Sequence, residues 1–298
     1  MNRTQLTIGI PAYNEQANIK RLLSSLFGQR QSTYDLKEII VVSDGSTDMT
    51  VAEALSVHNP IIKVLDNKER IGAALRQNDI LSQAQGDAIV ILDADILITD
   101  TYFLHKMLRP IAEDQAVGIV GARVLPLPAK SFFEKVIVNS NNFKRSVYES
   151  MRNKDNIYLC HGRARAFSRK FASQLHFPKA IGEDAFSYIR CVQAGFKFVY
   201  NPEAEIHYRC PQNLNDHLRQ SVRFLKAKQI WEHASEGKKY YRIPLNLLLR
   251  KAVRNFFSHP ILFPVYFLVF TLAKLRSNNT QVDVIWEVSP SSKTLAND

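Results

Sequence analysis

Ala88-Ile89-Val90-Ile91-Leu92-Asp93-Ala94-Asp95-Ile96-Leu97-Ile98-Thr99 is the stretch on which the reading of the fold turns. Five apolar residues, Ala88 to Leu92, follow Gly86-Asp87 and run directly into two carboxylates one residue apart. A short unbroken apolar run bounded by turn residues predicts a strand buried on both faces, as in a parallel sheet. Ligands of α/β sheets gather at the carboxyl ends of the strands, where Asp93 and Asp95 stand. Two carboxylates there suit a hard divalent cation that prefers oxygen ligands, and such a cation neutralises a diphosphate. Asp-x-Asp alone suits a solvated turn equally well, so the neighbouring segments have to decide.

Upstream, strands alternate with helices. Leu6 to Ile10 predicts a strand ending at Pro11, and Ile19, Leu22, Leu23 and Leu26 then fall on one helical face. Glu38 to Ser43 predicts a second strand, closed by Asp44-Gly45-Ser46-Thr47-Asp48, a turn of cap-forming residues in which Asp48 suits a helix cap. A helix to about Val57, a strand from Ile61 to Leu65 and a helix led by Gly72 complete the approach to Ala88. Alternation of this kind predicts a mostly parallel sheet with helices on both sides.

Downstream the pattern loosens. Val117 to Val124 predicts a strand and Phe132 to Met151 a long helix; Cys160-His161-Gly162-Arg163 carries polar groups without a clear role. Gly182-Glu183-Asp184 opens a helix that stops near Gly195, Phe196 to Tyr200 reads as a strand, and Glu205-Ile206-His207-Tyr208 follows. His207 suits a metal ligand, a diphosphate contact or a satisfied histidine at a strand end. Gln220 and Arg223 stand three apart and so share a helical face.

The 298 residues carry 46% hydrophobic and 22% charged residues, values of a globular chain with a sizeable core. Three cysteines without metal-ligand spacing suit a reducing compartment, and Met1 to Gln5 is too short and polar for a secretion leader. The net charge of +11 is segmental: Arg209 to Arg276 holds thirteen Lys or Arg against three acids. Basic segments suit phosphates, anionic lipid headgroups or nucleic acid, but no base-reading motif supports the last. Ile261 to Ala273 is an almost unbroken apolar run, too short to span a bilayer and flanked by Arg250, Lys251, Arg254, Lys274 and Arg276. With Phe256, Phe257, Tyr266 and Phe267 as interfacial anchors, it reads as a helix inserted into one leaflet; a buried core helix is the alternative.

With Pro11-Ala12-Tyr13-Asn14-Glu15, Ser43 to Asp48, Asp93-Ala94-Asp95, Gly182-Glu183-Asp184 and Gln220 to Phe224 in this order, the chain resembles an inverting family 2 glycosyltransferase of the GT-A fold. The likeness covers roughly Leu6 to Phe224, and the stretch from Ala180 to His207 matches its pattern of an acid pair, a helix, a Gly-aromatic and an Asn-Pro turn. It implies a domain over 1–235, with a nucleotide-sugar half (1–100) and an acceptor half (101–235), followed by a membrane-associating helical segment over 236–298. It implies Asp95 as ligand of a Mn or Mg ion, with His207 as a candidate third contact, and Asp93, Asp44, Pro11, Tyr13 and Glu15 at the donor. By the same likeness Asp184 is the general base, Glu183 its positioning neighbour, Arg223 a diphosphate clamp and Gln220 an acceptor contact. Phe224 stands where the processive members carry Trp, which keeps a stacking surface but removes the indole N–H donor.

The expected function is a hexosyl transfer from a nucleoside diphosphate-sugar to a lipid-linked or glycan acceptor, in polysaccharide or glycolipid synthesis at the cytoplasmic face of a membrane. An enzyme that makes the sugar nucleotide would present a Gly-rich basic loop where Pro11 to Glu15 stands. A catalytically silent binding module has no need of the full set of carboxylates.

Overall fold

The computed structural model describes residues 3–234, 237–280, 283, 285, 290–293 and 295. In chain order the elements are β1 (Thr4–Ala12), α1 (Ile19–Phe27), β2 (Tyr34–Asp44), α2 (Thr50–Leu55), β3 (Ile62–Asn67), α3 (Ala73–Gln83), β4 (Ala88–Leu92), β5 (Ile96–Leu97) and α4 (Phe103–Glu113). There follow β6 (Val117–Pro126), α5 (Phe132–Tyr148), β7 (Ala164–Ser168), α6 (Arg169–Ala172), α7 (Glu183–Gln193), β8 (Lys197–Tyr208), α8 (Leu214–His233), α9 (Leu245–Ser258) and α10 (Leu262–Asn279).

One eight-stranded sheet, in the order β3-β2-β1-β4-β7-β6-β8-β5, runs through both halves. β1, β2, β3 and β4 are mutually parallel, and β6 pairs parallel with β8. β7 runs antiparallel to both β4 and β6, and β5 runs antiparallel to β8. Since β7 reverses between two parallel sets, β1, β2, β4, β6 and β8 all end at one edge.

Apolar runs form the inner strands because the sheet is covered on both sides. Ala88, Val90 and Leu92 join Ile39 and Val41 in a core layer with α1 and α4, whereas Ile89 and Ile91 join Ile40 and Val42 beneath α3, α6 and α7. The stripe of α1 buries Ile19, Leu22, Leu23 and Leu26, the four residues of the expected face. β8 is longer than expected. It continues past Asn201-Pro202, where the pairing with β6 skips from Ala122–Asn201 to Arg123–Glu205. The Asn-Pro pair expected to be a turn is therefore an irregularity within a strand, a place where a missing N–H is tolerated.

The apolar run at 261–273 forms most of α10, which packs on α8 and α5 and buries Phe263, Val269 and Ala273. Pro264 sits in its first turn, where the N–H has no helical partner to lose. The outer face stays open: Leu268 is 68% exposed, Leu275 59%, and Phe257 at the end of α9 77%. No described helix is long and apolar enough to cross a membrane. The boundary drawn at 235/236, and much of 281–298, lie outside the described residues.

Candidate active site

The shared strand edge collects the acidic turns. Ala12, Asp44 and Leu92 close parallel strands there, so Tyr13 to Glu15, Asp44 and Asp93 to Asp95 converge on one cleft of about 650 Å³. Pro11, Tyr13, Glu15, Asp44, Asp93, Asp95, Gln220 and Arg223 line it. A second cavity, of about 430 Å³, is lined by Asp184, His161, Phe224 and a wall of tyrosines including Tyr158, Tyr200 and Tyr208. Arg163 and Gln220 line both, so the two spaces meet at these side chains.

Arg163 was not singled out from the sequence. It immediately precedes β7, and because β7 is antiparallel to β4, Ala164 pairs with Leu92 and sets Arg163 beside Asp93. The Asp93 amide donates to the Arg163 carbonyl at 2.9 Å, and the Arg163 guanidinium bonds Asp95 at 2.9 Å over the Tyr208 ring. Loss of solvation within the cleft, and then the charge of Asp95, push the Asp93 carboxyl up to about 6. Glu15 rises to about 7 through burial and the charge of Asp95, against the pull of Lys293. This crowding of carboxylates is the environment that a divalent cation relieves. Mg and Mn take one or two protein carboxylates and complete their shell with water and substrate phosphates. Asp93 and Asp95, one residue apart just past the end of β4, fit that pattern.

His207 stands opposite Leu97 in the pairing of β8 with β5, lines neither space, and has a buried Nδ1 without a hydrogen-bond partner among the described residues.

Asp44 lines the cleft but is already committed to local structure. Its carboxylate accepts the amides of Ile71 and Gly72 at 2.8 and 2.9 Å and the Arg76 Nε at 2.9 Å. It thereby holds the 69–72 loop, from which Arg70 stacks over the Tyr13 ring at 3.7 Å. Both Asp44 and Arg76 are buried, so Asp44→Ala should destabilise the fold by about 3 kcal/mol by stranding a guanidinium. Denaturant unfolding checks this, and a loss under ~1 kcal/mol would mean the Asp79 bond to Arg76 suffices alone. Asp48 stands one residue before Met49, the N-cap of α2, and accepts the Thr50 amide at 3.0 Å.

The first turn of α7 is braced from below. Arg165 is fully buried and donates to Ser187 Oγ at 2.8 Å, Gln77 Oε1 at 2.9 Å and the Glu183 carbonyl at 3.3 Å. Gly182 has φ of +81°, and a Cβ there would stand 2.8 Å from Ala227 and 2.9 Å from the Trp231 indole nitrogen. Only glycine permits this approach of α7 to α8, the helix that carries Gln220, Arg223 and Phe224. Gly162 leaves room for the acid pair, since a Cβ there would meet Glu183 Oε1 at 3.2 Å. Burial, reinforced by Asp184, raises the Glu183 carboxyl, and burial with the guanidiniums of Arg163 and Arg165 pushes His161 down to about 3. Asp184 lines the second cavity and not the first.

Residues 7–175 match the family described as Glycosyl transferase family 2. The chain belongs to that family. Its fold is that of the GT-A type. Among curated relatives it is 24% identical over 214 residues to the O-antigen chain rhamnosyltransferase RfbN of Salmonella typhimurium, covering 68% of this chain and 66% of that protein. It is 26% identical over 217 residues to glycosyltransferase GlyA of Streptococcus pneumoniae, covering 69% of this chain and 30% of that protein. The match thus spans less than two thirds of either relative. The fold is similar to that of the mannosyltransferase PcManGT from Pyrobaculum calidifontis, solved with GDP-Man and Mn²⁺, with a TM-score of 0.60 at 21% identity over 95% of this chain and 77% of that one. It is also similar to glucosyl-3-phosphoglycerate synthase from Mycobacterium tuberculosis, solved with Mn²⁺, UDP and phosphoglyceric acid, with a TM-score of 0.54 at 17% identity over 75% of this chain and 78% of that one.

Proposed function

We propose that the enzyme transfers a sugar, with inversion, from a nucleoside diphosphate donor in the larger cleft to a lipid-linked or glycan acceptor in the second cavity. The observation that carries this is the junction: Asp93 and Asp95 face one space, Asp184 the other, and Arg163 and Gln220 border both. A displacement at an anomeric carbon needs leaving-group stabilisation on one side and a base on the other, and the junction separates the two.

In this reading Asp95, with Asp93 beside it, would hold a Mn or Mg ion, which supplies charge neutralisation and orientation to the diphosphate. Arg223, facing Asp93, Glu183 and Asp184 across the cleft, clamps the departing diphosphate. Asp184 Oδ2 takes the acceptor hydroxyl proton, while its Oδ1 accepts the Ala185 amide at 2.8 Å and fixes the carboxylate plane. Phe224 and the tyrosine wall present flat apolar faces to the acceptor. Tyr148 and Tyr158 stack at 4.4 Å there, and Lys144, Arg145 and Lys228 add positive charge that suits a phosphate-bearing acceptor. A panel of sugar nucleotides with Mn²⁺ or Mg²⁺, read as diphosphate release in the presence of lipid extract, tests the reading. Release from no donor would refute it.

The acceptor cavity also touches α10 through Phe270, which suits an acceptor presented from a membrane surface against which α10 lies. The open faces of α9 and α10 insert their apolar side chains, and the basic residues between Arg209 and Arg276 contribute about 1 kcal/mol each near anionic lipid. Salt screens the second contribution only. Full-length protein should therefore remain on anionic liposomes in high salt, whereas Phe257→Glu combined with Leu268→Glu should wash off with salt alone. Protein that stays in solution with such liposomes at low salt would make the exposed face something other than a membrane contact.

A further inference from the structure

Residues 290–293 lie across the donor cleft as a strap. At one end Ser291 is bound to the start of α8: its amide and Oγ donate to Asp216 Oδ2 at 3.0 and 2.5 Å, and its Oγ accepts the Gln212 amide at 3.1 Å. At the other end Lys293 is bound to the donor loop. Its ammonium meets Glu15 Oε1 at 2.6 Å, the Asn14 carbonyl at 3.2 Å and the Tyr13 carbonyl. Its own carbonyl accepts Asn18 Nδ2 at 2.6 Å. The strap thus ties the nucleotide-binding loop after β1 to the helix that carries Gln220 and Arg223.

Two arrangements were open to such a strap: a plug that fills the cleft, or a wall that bounds it. Ser292 and Lys293 line a space that still encloses about 650 Å³, within the range of roughly 300–1,000 Å³ that accommodates a small ligand. The strap therefore bounds the cleft. Lys293 has three N–H groups and three oxygen partners, so it has no donor left over for a phosphate. Its effect on a donor is exerted through the loop. It neutralises Glu15, which otherwise faces the diphosphate site as a buried carboxylate close to Asp95, and it fixes the backbone on which Tyr13 is carried.

We infer that the 290–293 strap is a working part of the donor site and that Lys293 is a positioning residue for nucleotide binding, acting through Glu15 and the Tyr13 backbone. The inference rests on the donor-cleft reading above. Removing Lys293 leaves the buried Glu15 carboxyl held by Asn18 alone next to the incoming diphosphate, which costs affinity for the donor. It does not touch the acceptor base, so turnover at saturating donor should persist, the signature of binding lost equally from ground and transition states.

Calorimetric titration of the full-length chain with UDP and with GDP in Mn²⁺, together with donor kinetics, tests this. Lys293→Ala should weaken the binding nucleotide and raise donor KM by about 10-fold with kcat within about 2-fold, and Lys293→Arg should restore most of the loss. Adding Glu15→Gln to Lys293→Ala should recover part of the affinity, since the stranded charge is then gone; equal and additive losses would deny the coupling. Unchanged affinity in Lys293→Ala overturns the inference and leaves the donor cleft standing. Tighter binding or faster turnover also overturns it, in favour of a strap that obstructs. If the unmodified protein binds no nucleoside diphosphate, the donor-cleft reading fails and the strap's role fails with it.

Discussion

Replacing Asp184 by Asn should lower transfer by about 10²-fold or more while donor affinity stays near that of the unmodified enzyme. The split follows from position. Asp184 lines the acceptor-side cavity and is absent from the lining of the donor cleft, so its charge is not required to seat the nucleotide. The substitution is close to isosteric, and the bond from the Ala185 amide to Oδ1 is kept, so the first turn of α7 should survive. What is lost is an acceptor for the hydroxyl proton. The stacking wall, Arg163 and Gln220 remain to hold both substrates, so residual transfer should depend on pH through the hydroxyl's own ionisation rather than through a carboxylate. Glu183 is a poor substitute base, because it does not line the acceptor-side cavity. Glu183→Gln should therefore cost far less than Asp184→Asn. Loss of nucleotide binding with unchanged turnover in Asp184→Asn would move this residue to the donor side and end its assignment as base.

The nucleotide half was legible in the sequence because its signals are local. A five-residue apolar run buried on both faces, as at Ala88 to Leu92, needs no partner to identify it. The stripe of α1 follows from helical spacing alone. Asp93 and Asp95 were marked by the end of a strand, whereas Glu15 and Tyr13 came from the family resemblance; parallel strands bring all four to one cleft. Arg163 was out of reach for the opposite reason. Its place depends on β7 running antiparallel between two parallel sets, and only the pairing of Leu92 with Ala164 brings it to Asp95. The strand phase of His207 was out of reach in the same way, since both neighbours, Ile206 and Tyr208, are apolar or aromatic and no composition argument resolves it. Asp44 was placed at the right edge, but its bonds to Ile71, Gly72 and Arg76 come from a loop and helix 27 to 32 residues away. Lys293 lies 278 residues from Glu15, a separation at which sequence patterns say nothing.

Asp95→Asn should abolish transfer to within ~10⁻² of the unmodified rate, and no excess of Mn²⁺ or Mg²⁺ should restore it. Asp95 has one role in the structure and one in the proposed reaction, and the variant affects both. It is one of two carboxylates able to receive a divalent cation, and it is the close partner of Arg163, whose other carboxylate neighbour, Asp93, stands at 3.9 Å. Converting it to an amide removes the charge that a cation needs and halves the negative charge facing a buried guanidinium. Asp93 then carries both demands, and an Arg163 drawn towards it competes with any cation that binds there. Thermal unfolding separates the roles. Without nucleotide, the variant should be modestly less stable, as expected for a buried cation with a weakened partner. With UDP or GDP, the unmodified enzyme should gain stability only when Mn²⁺ is present, and EDTA should remove that gain. The variant should show no metal-dependent gain at any concentration. Full transfer in EDTA, or a metal-dependent nucleotide shift that persists in Asp95→Asn, would mean that Arg163 rather than a cation neutralises the diphosphate, and that its pairing with Asp95 is a resting contact the donor displaces.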